Sequence, residues 1–334
     1  MPNVVEPSWL GRRVSVRRVL DRRPDGRPLF GDVVGDLVHL DDTHAVIDTR
    51  HGPVELDVAA VSIARVAPPS TADELALEAV TARGWRAAET EQQGGWLLRA
   101  DSGFTHRANS VLPLRAPGVP LADALEAARR WYAERGLPLV LQVPTEARRL
   151  LDADLGERGW LFSPDVHVLA ALLSQVETAT AAPDVEVRLD PAPDDGWLAR
   201  YRDGAGADDV ARALLTRHDN AVFASVRDGD RVLAIGRGAI DDAWLGVSAV
   251  EVDPSARRQG LAQAVTRALW SWGRGRDARR TYLQVSSDNA AAIALYERLG
   301  YWQHHDYRYR TDPAVETEPA YAADPSWRPD TDPH

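Results

Sequence analysis

The sequence predicts a mixed α/β protein, with two α/β halves behind a small antiparallel β-barrel. Three observations point there. Residues 1–68 hold short alternating segments split by turn residues, with no helical period. From residue 72 the apolar pattern switches to alternating helix and strand. A strand–helix–glycine–aromatic phrase also occurs twice. Leu141-Gln142-Val143 leads to Glu157-Arg158-Gly159-Trp160, and Leu283-Gln284-Val285 leads to Glu297-Arg298-Leu299-Gly300-Tyr301.

In the N-terminal segment, Arg13–Val19, Phe30–Leu40, Ala45–Thr49 and Val54–Val58 read as strands. Asp25-Gly26, Asp41-Asp42 and His51-Gly52-Pro53 read as the turns between them. Strands of this spacing suggest a small barrel, and the segment (1–68) resembles a Src-homology-3-like barrel. Pro68-Pro69-Ser70-Thr71 reads as a linker.

In the first half, 72–176, helices are expected at Asp73–Ala82, Leu121–Arg135 and Glu146–Glu157. Strands are expected at Trp96–Arg99, Ser110–Leu114, Pro138–Val143 and Val166–Leu173, and Ser174–Pro183 reads as a polar bridge. The second half, 184–312, has a helix near Asp209–Arg217 and strands at Ala221–Arg227, Arg231–Ile240 and Ala243–Val252. A helix from Gly260, strand Thr281–Val285, helix Ala290–Leu299 and strand His305–Arg310 complete it. Residues 313–334 are rich in Pro, Asp and Glu without a period, which predicts a disordered tail.

The 334 residues exceed the ~100–200 of one domain, so more than one domain is expected. No apolar run approaches the ~20 residues of a membrane span. The opening Met1-Pro2-Asn3-Val4 lacks the basic-then-apolar pattern of a secretory signal, so a cytoplasmic protein is expected. Without cysteine there is no disulfide framework, thiolate metal site or cysteine nucleophile. A net charge of −11 argues against nonspecific nucleic-acid binding. All 39 basic residues are arginine, so clusters such as Arg12-Arg13 and Arg22-Arg23 are not functional signals by themselves.

The chemistry concentrates in Val250-Glu251-Val252-Asp253-Pro254-Ser255-Ala256-Arg257-Arg258-Gln259-Gly260-Leu261-Ala262. A strand ends at Asp253-Pro254, and a loop leads into a helix whose Leu261, Val265, Leu269 and Trp272 share one side. A helix N-terminus offers unpaired N–H groups and partial positive charge, which suit a phosphate. Gly260 lets a ligand approach the backbone, and Ala262 keeps the first turn open. Arg257 and Arg258 add positive charge. A tight turn capped by glycine is the plain structural alternative.

About 20 residues further on come Ser286-Ser287-Asp288-Asn289 and the helix bearing Tyr296. In this order and spacing, the pair of motifs resembles the GNAT superfamily of N-acyltransferases. Arg257-x-x-Gly260-x-Ala262 matches its pyrophosphate loop, and Asn289 and Tyr296 match its second signature. The resemblance implies that acetyl-CoA is held by Val250, Glu251, Val252, Arg257, Arg258, Gln259, Gly260, Leu261, Ala262, Gln263, Asn289 and Tyr296. It implies that the strand ending at Val252 splays from the next strand, and that its backbone groups hold the pantetheine arm. It places Tyr296 near the acyl sulfur as general acid. Alternatively, Tyr296 is a core aromatic spaced with Ala292 and Leu299, and Asn289 a helix N-cap.

In the similar ribosomal-protein alanine acetyltransferases a glutamate stands where this chain has Gln284. The base is then either supplied elsewhere or not needed; Glu251, beside the expected acyl position, is the leading candidate, or else a solvated strand carboxylate. His304 and His305 have no further ligand to support a metal site, and no metal is expected.

The first half lacks these signals. Arg115-Ala116-Pro117-Gly118-Val119-Pro120 precedes its helix, and proline has no N–H to offer a phosphate. It reads as a degenerate GNAT-like module, with Thr105–Ser110 a candidate wall of the acceptor pocket or a plain exposed turn. A tandem pair resembles the mycothiol synthases, though the extra barrel departs from them. The expected function is acetyl transfer from acetyl-CoA to a primary amine of a small molecule or protein. A catalytically idle CoA-sensing or adaptor protein is the alternative, favoured by Gln284 and opposed by Tyr296.

Overall fold

The computed structural model describes residues 5–176, 185–201 and 209–314. The chain divides into two compact units, Met1–Ser70 and Thr71–His334.

In the first unit five strands follow one another: β1 (Arg13–Arg22), β2 (Pro28–Leu40), β3 (His44–Thr49), β4 (Gly52–Asp57) and β5 (Val61–Val66). They form one antiparallel sheet in the order β4-β3-β2-β1-β5. Val14 and Val16 are buried while Ser15 and Arg17 are more exposed, the period of two that a one-sided strand requires. With Leu37, Ala45, Ile47, Leu56 and Val61 they make a small core. The β1–β2 turn is closed by Gly26 at φ +83 and by the Asp25 carboxylate, which accepts from the Arg27 amide at 3.0 Å. The pairing runs from β4 at one edge to β5 at the other, an open sheet and not the closed barrel that the strand spacing suggested.

The second unit begins with α1 (Thr71–Gly84), whose first residue was expected in the linker. Then come β6 (Glu89–Gln93), β7 (Trp96–Ala100), β8 (Leu112–Pro113), α2 (Leu121–Ala133), β9 (Val140–Pro144), α3 (Arg149–Glu157), β10 (Leu161–Phe162), β11 (Val166–Leu172) and the short α4 (Leu173–Val176). After residues 177–184 follow β12 (Arg188–Asp190), α5 (Asp195–Arg200), α6 (Asp209–Thr216), β13 (Ala221–Asp228), β14 (Arg231–Asp241) and β15 (Trp244–Val252). The last elements are α7 (Leu261–Arg274), β16 (Arg280–Ser286), α8 (Ala290–Arg298) and β17 (Trp302–Thr311). Most of the expected polar bridge and all but the start of the expected tail lie outside the described residues.

The sheet is not divided where the sequence suggested two halves. β11 lies between β16 and β17, antiparallel to both, and pairs β16 over seven positions from Val166↔Ser286 to Leu172↔Arg280. In return β17 pairs β9 from Tyr307↔Pro144 to Thr311↔Val140. Each half therefore gives its last long strand to the other. β6, β7 and β8 form a separate antiparallel sheet, joined to β9 by one parallel bridge, Val111↔Leu141.

The main core lies under α7. Its Leu261, Val265 and Leu269 pack with Leu245 and Val247 of β15 and Leu283 of β16. Trp272, expected on the buried side, is half-buried near the helix end, with Arg276 4.6 Å from its ring. Trp270 is the fully buried tryptophan, and its indole N–H donates to the Tyr301 hydroxyl at 3.0 Å. A second core under α2 joins Trp96, Leu98, Leu125, Tyr132 and Leu141.

Candidate active site

β15 and β16 run parallel from Trp244↔Arg280 to Val247↔Leu283 and pair no further. The cause lies in β15. Ala249 has φ +52, and the β14–β15 register shifts between Ile235 and Arg237, the mark of a β-bulge. The bulge turns Val250, Glu251 and Val252 away from β16, opening a gap between the two strands. Opposite lies Gly236, where an added Cβ would sit 2.5 Å from Val265 Cγ1, so α7 packs directly on the backbone of β14.

The loop from β15 to α7 is pinned by Asp253. Its Oδ1 accepts from the Ser255 amide at 2.9 Å, the Ser255 hydroxyl at 2.7 Å and Arg231 at 3.0 Å. These bonds hold the carboxyl down to about 2. Arg258 (φ +62) and Gly260 (φ +79) both adopt the left-handed conformation, and Gly260 is the N-cap of α7. A turn of this kind followed by a helix start makes an anion-binding concavity.

A cavity of about 920 Å³ occupies the gap. It brings together Val250, Glu251, Val252, Arg257, Asn289 and Tyr296 of the residues expected to hold the cofactor. Arg258, Gln259, Gly260, Leu261, Ala262 and Gln263 form the loop and the first turn of α7 and do not line the cavity itself. The Leu261 side chain is buried in the core, so only its backbone is placed for a ligand.

Asn289 is the N-cap of α8, its Oδ1 accepting from the Ala292 amide at 3.1 Å, and it also lines the cavity. Tyr296 is buried, its ring 5.5 Å from that of Tyr301, yet it too lines the cavity. Burial pushes its phenol up to about 12, against an opposing hydrogen bond with Thr266. The tyrosine therefore carries its proton at neutral pH. Thr266 Oγ1 donates to the Ala262 carbonyl at 2.7 Å, tying the Tyr296 hydroxyl to the first turn of α7.

Gln284, where a carboxylate base could have stood, accepts from Arg107 Nε at 2.9 Å. Arg107 belongs to the turn Thr105–Ser110, which is buried and braced by Asn109. The Asn109 side chain accepts from Asp101 N (2.6 Å) and Gly103 N (3.0 Å) and donates to the Thr105 carbonyl (2.8 Å). This turn was read as a pocket wall or an exposed turn, and Arg107 lines the cavity. The two histidines of β17 stand elsewhere. His305 Nε2 lies 2.8 Å from the buried Glu78 carboxylate, and His304 Nδ1 lies 2.8 Å from His305 Nδ1. Among the described residues no cluster could hold a metal ion.

A family model described as the C-terminal part of the probable histone acetyltransferase Rv0428c matches residues 71–310. A Mycobacterium tuberculosis protein of that name, probable histone acetyltransferase Rv0428c, is 34% identical over 325 residues, spanning 92% of this chain and 98% of the relative. The chain belongs to this acetyltransferase family. Its fold agrees with solved GNAT structures. A GCN5-related N-acetyltransferase from Kribbella flavida superposes with a TM-score of 0.57 at 19% identity, covering 72% of this chain and 96% of that one. A tandem GNAT protein from the clavulanic acid biosynthesis pathway gives a TM-score of 0.51 at 12% identity, covering 76% and 91%. The protein is thus an acetyltransferase of this family, with the fold of the solved GNAT structures.

Several cavity residues of this acetyltransferase carry no signal in the motifs: Trp85 after α1, Tyr201 and Arg237 of β14. Arg237 is fully buried, its Nε donating to the Leu215 carbonyl (3.0 Å) and its Nη1 to the Gly84 carbonyl (3.1 Å). Burial lowers its guanidinium to about 10, which still leaves it charged at neutral pH. An arginine in the middle of an apolar strand, Arg231-Val-Leu-Ala-Ile-Gly-Arg237-Gly-Ala-Ile, is the one sequence signal that could have pointed to it. Among the described residues no helix is long and apolar enough to cross a membrane.

Proposed function

We propose that the enzyme transfers the acetyl group of acetyl-CoA to a primary amine of a small molecule or protein, in the cavity between β15 and β16. The splay of these strands above the N-terminus of α7 is the observation that carries this reading. The pyrophosphate is bound by the loop Arg257–Gly260 and the backbone of Leu261, Ala262 and Gln263, with Arg257 and Arg258 adding charge. The pantetheine arm runs along the backbone freed at Val250, Glu251 and Val252, and Asn289 contacts it from α8.

In the reaction the amine nitrogen attacks the thioester carbonyl. The nitrogen–carbon bond forms, the carbon–sulfur bond breaks, and the nitrogen gives up one proton. Glu251, on the cavity wall, takes that proton, and Tyr296 delivers one to the departing thiolate. Gln284 has no role as a base, because its carboxamide does not accept a proton at neutral pH and its oxygen is engaged by Arg107.

We further infer that residues 72–176 and 184–312 are related GNAT-like modules behind a Src-homology-3-like segment, 1–68. Both contain three strands, a helix, a strand, a helix and a closing strand, β6–β8, α2, β9, α3 and β11 (after the short β10) against β13–β15, α7, β16, α8 and β17. Only the second binds CoA, since Pro120 stands at the N-cap of α2 where the second module has Gly260. Release of free CoA thiol from acetyl-CoA, followed across a panel of primary amines, tests the reading. Amine-dependent release is expected, and none with any amine would overturn it.

A further inference from the structure

One buried charge on the cavity wall has no part in the transfer as described above. Arg237 of β14 lines the cavity and is fully buried. Its Nε and Nη1 donate to the Leu215 and Gly84 carbonyls, and its guanidinium carbon stands 5.2 Å from the centre of the Trp85 ring. The side chains whose charge bears on it, Tyr282 of β16 and Tyr201 after α5, are phenols and not carboxylates. A cation buried without a carboxylate is costly, and an apolar side chain would hold the strand at less cost. Directly across the β14–β15 pair stands Ser248, whose Oγ is buried without a hydrogen-bond partner on the same cavity wall. Tyr282 lines the wall too. A Cβ on Gly84 or on Gly246 would come within 2.5 Å of its hydroxyl oxygen, so both positions are kept bare around it. The other charged groups lining the cavity are Arg107, Arg200 and Arg257, with the carboxylates Glu251 and Asp288. One nitrogen base nearby already feels the field of Arg237. His218 is held down by burial, then by Arg86 and Arg237, against Asp241 and Asp219.

We infer that this wall binds the acceptor as its free amine: Arg237 disfavours the ammonium form, while the Ser248 and Tyr282 hydroxyl oxygens accept the amine's N–H bonds without offering a negative charge. The inference rests on the acetyl-transfer reading above. An alkylammonium has no lone pair with which to attack, and in water it keeps its proton up to about pH 10.4. A neighbouring cation in a poorly solvated site lowers that value. With Gln284 in place of a carboxylate, the field of Arg237 replaces a base for the first proton. That proton leaves to solvent on binding, R–NH3+ becoming R–NH2. The second is released after attack on the thioester and goes to Glu251.

The test uses two alkylamines about as basic as a lysine side chain, n-butylamine and Nα-acetyllysinamide. Each is titrated by calorimetry into the CoA complex at pH 7.5, in buffers of different ionisation enthalpy. About one proton is expected to be released per amine bound. Binding without proton release, the mark of an ammonium paired with Glu251, or binding of neither probe, would overturn the inference. In turnover, the acid limb of kcat against pH reports the bound amine and is expected well below the amine's value in water. Arg237→Met should move that limb up by about one unit or more. It then lowers kcat at pH 7 by about 10-fold or more, while kcat near pH 10 stays within a few fold of the wild type. Arg237→Lys keeps a cation and should keep the limb in place. A limb unmoved in Arg237→Met, or equal losses at both pH values, would also overturn the inference. Ser248→Ala should raise KM by about 3- to 10-fold with the limb unmoved, and an unchanged KM would contradict the part given to Ser248. If Arg237→Met does not fold, the proton count in the wild-type protein still decides. If no amine is acetylated, the acetyl-transfer reading fails, whereas the proton count needs no turnover and judges the subsite separately.

Discussion

A phenol buried at the end of a thioester site holds its proton until a stronger base arrives. On the proposed reading Tyr296 is such a group, being buried beside Tyr301 and raised to about 12. Tyr296→Phe keeps the ring and removes only the hydroxyl. It is expected to lower turnover by ~10²–10⁴-fold while leaving CoA affinity within a few fold. Equal losses in both would mark Tyr296 as structural. The residues proposed to serve CoA could be read from the sequence because they are contiguous: a loop of six residues and one helix, each with its own chemistry. Trp85 and Arg237 could not be read this way, because they come from distant segments and meet Arg107 only through packing around one ring, whereas Arg107 lies in the turn Thr105–Ser110 that was read as a pocket wall or an exposed turn. Gln284 was legible as a missing carboxylate, but its partner Arg107 lies 177 residues away.

At the scale of the element, most of the longer helices and strands followed from periodicity, while β5, β6 and the short β10, α4, β12 and α5 were missed. The polar run Glu89–Gln93 is exposed along most of its length and carries no apolar alternation. In β5 burial does not alternate cleanly, since Ser62 and Ile63 are both exposed, and the strand holds only two Val and one Ile among small and charged residues. Strand partners were illegible. β11 reads Val166-His-Val-Leu-Ala-Ala-Leu172, a nearly continuous buried run, and a strand covered on both faces carries no period to say which neighbour it joins. The exchange of β11 and β17 has a direct consequence. Ala170→Pro removes an N–H in a strand paired on both edges and is expected to cost at least ~1–3 kcal/mol. Urea melts followed by tryptophan fluorescence and by CoA binding should shift together. Loss of one signal without the other would mean that the two halves are not linked through this strand.

For the whole molecule, the exchange means that the half proposed to bind CoA is incomplete by itself. A fragment comprising residues 177–334 lacks β11 and leaves β16 and β17 without the strand between them. It is expected to show no cooperative thermal transition, and a fragment that melts cooperatively and binds CoA would contradict this. Stability should also decline in mild acid. His218 is buried and held down to about 4, chiefly by burial and then by Arg86 and Arg237. Burial and the neighbouring His305 hold His304 down to about 3. Both lie below the ordinary 6.5, so the folded protein binds fewer protons than the unfolded chain. Their contribution is complete above pH 6.5 and is lost as pH falls toward 4 and then 3. Urea midpoints at pH 7.5 and 5 should differ in that direction, and the difference should shrink in His218→Gln. A midpoint independent of pH would count against the buried neutral histidines.

The central claim, that one acetyl-CoA is bound where β15 and β16 part above the start of α7, is tested most directly by calorimetric titration of CoA into the wild-type protein and into Gly260→Asp. A side chain at φ +79 strains the loop, and a carboxylate there repels the pyrophosphate. The wild-type protein should bind one CoA per chain, and the variant, melting as a folded protein, should bind at least ~10-fold more weakly. Two equivalent sites in the wild-type protein, or unchanged affinity in the folded variant, would contradict the account.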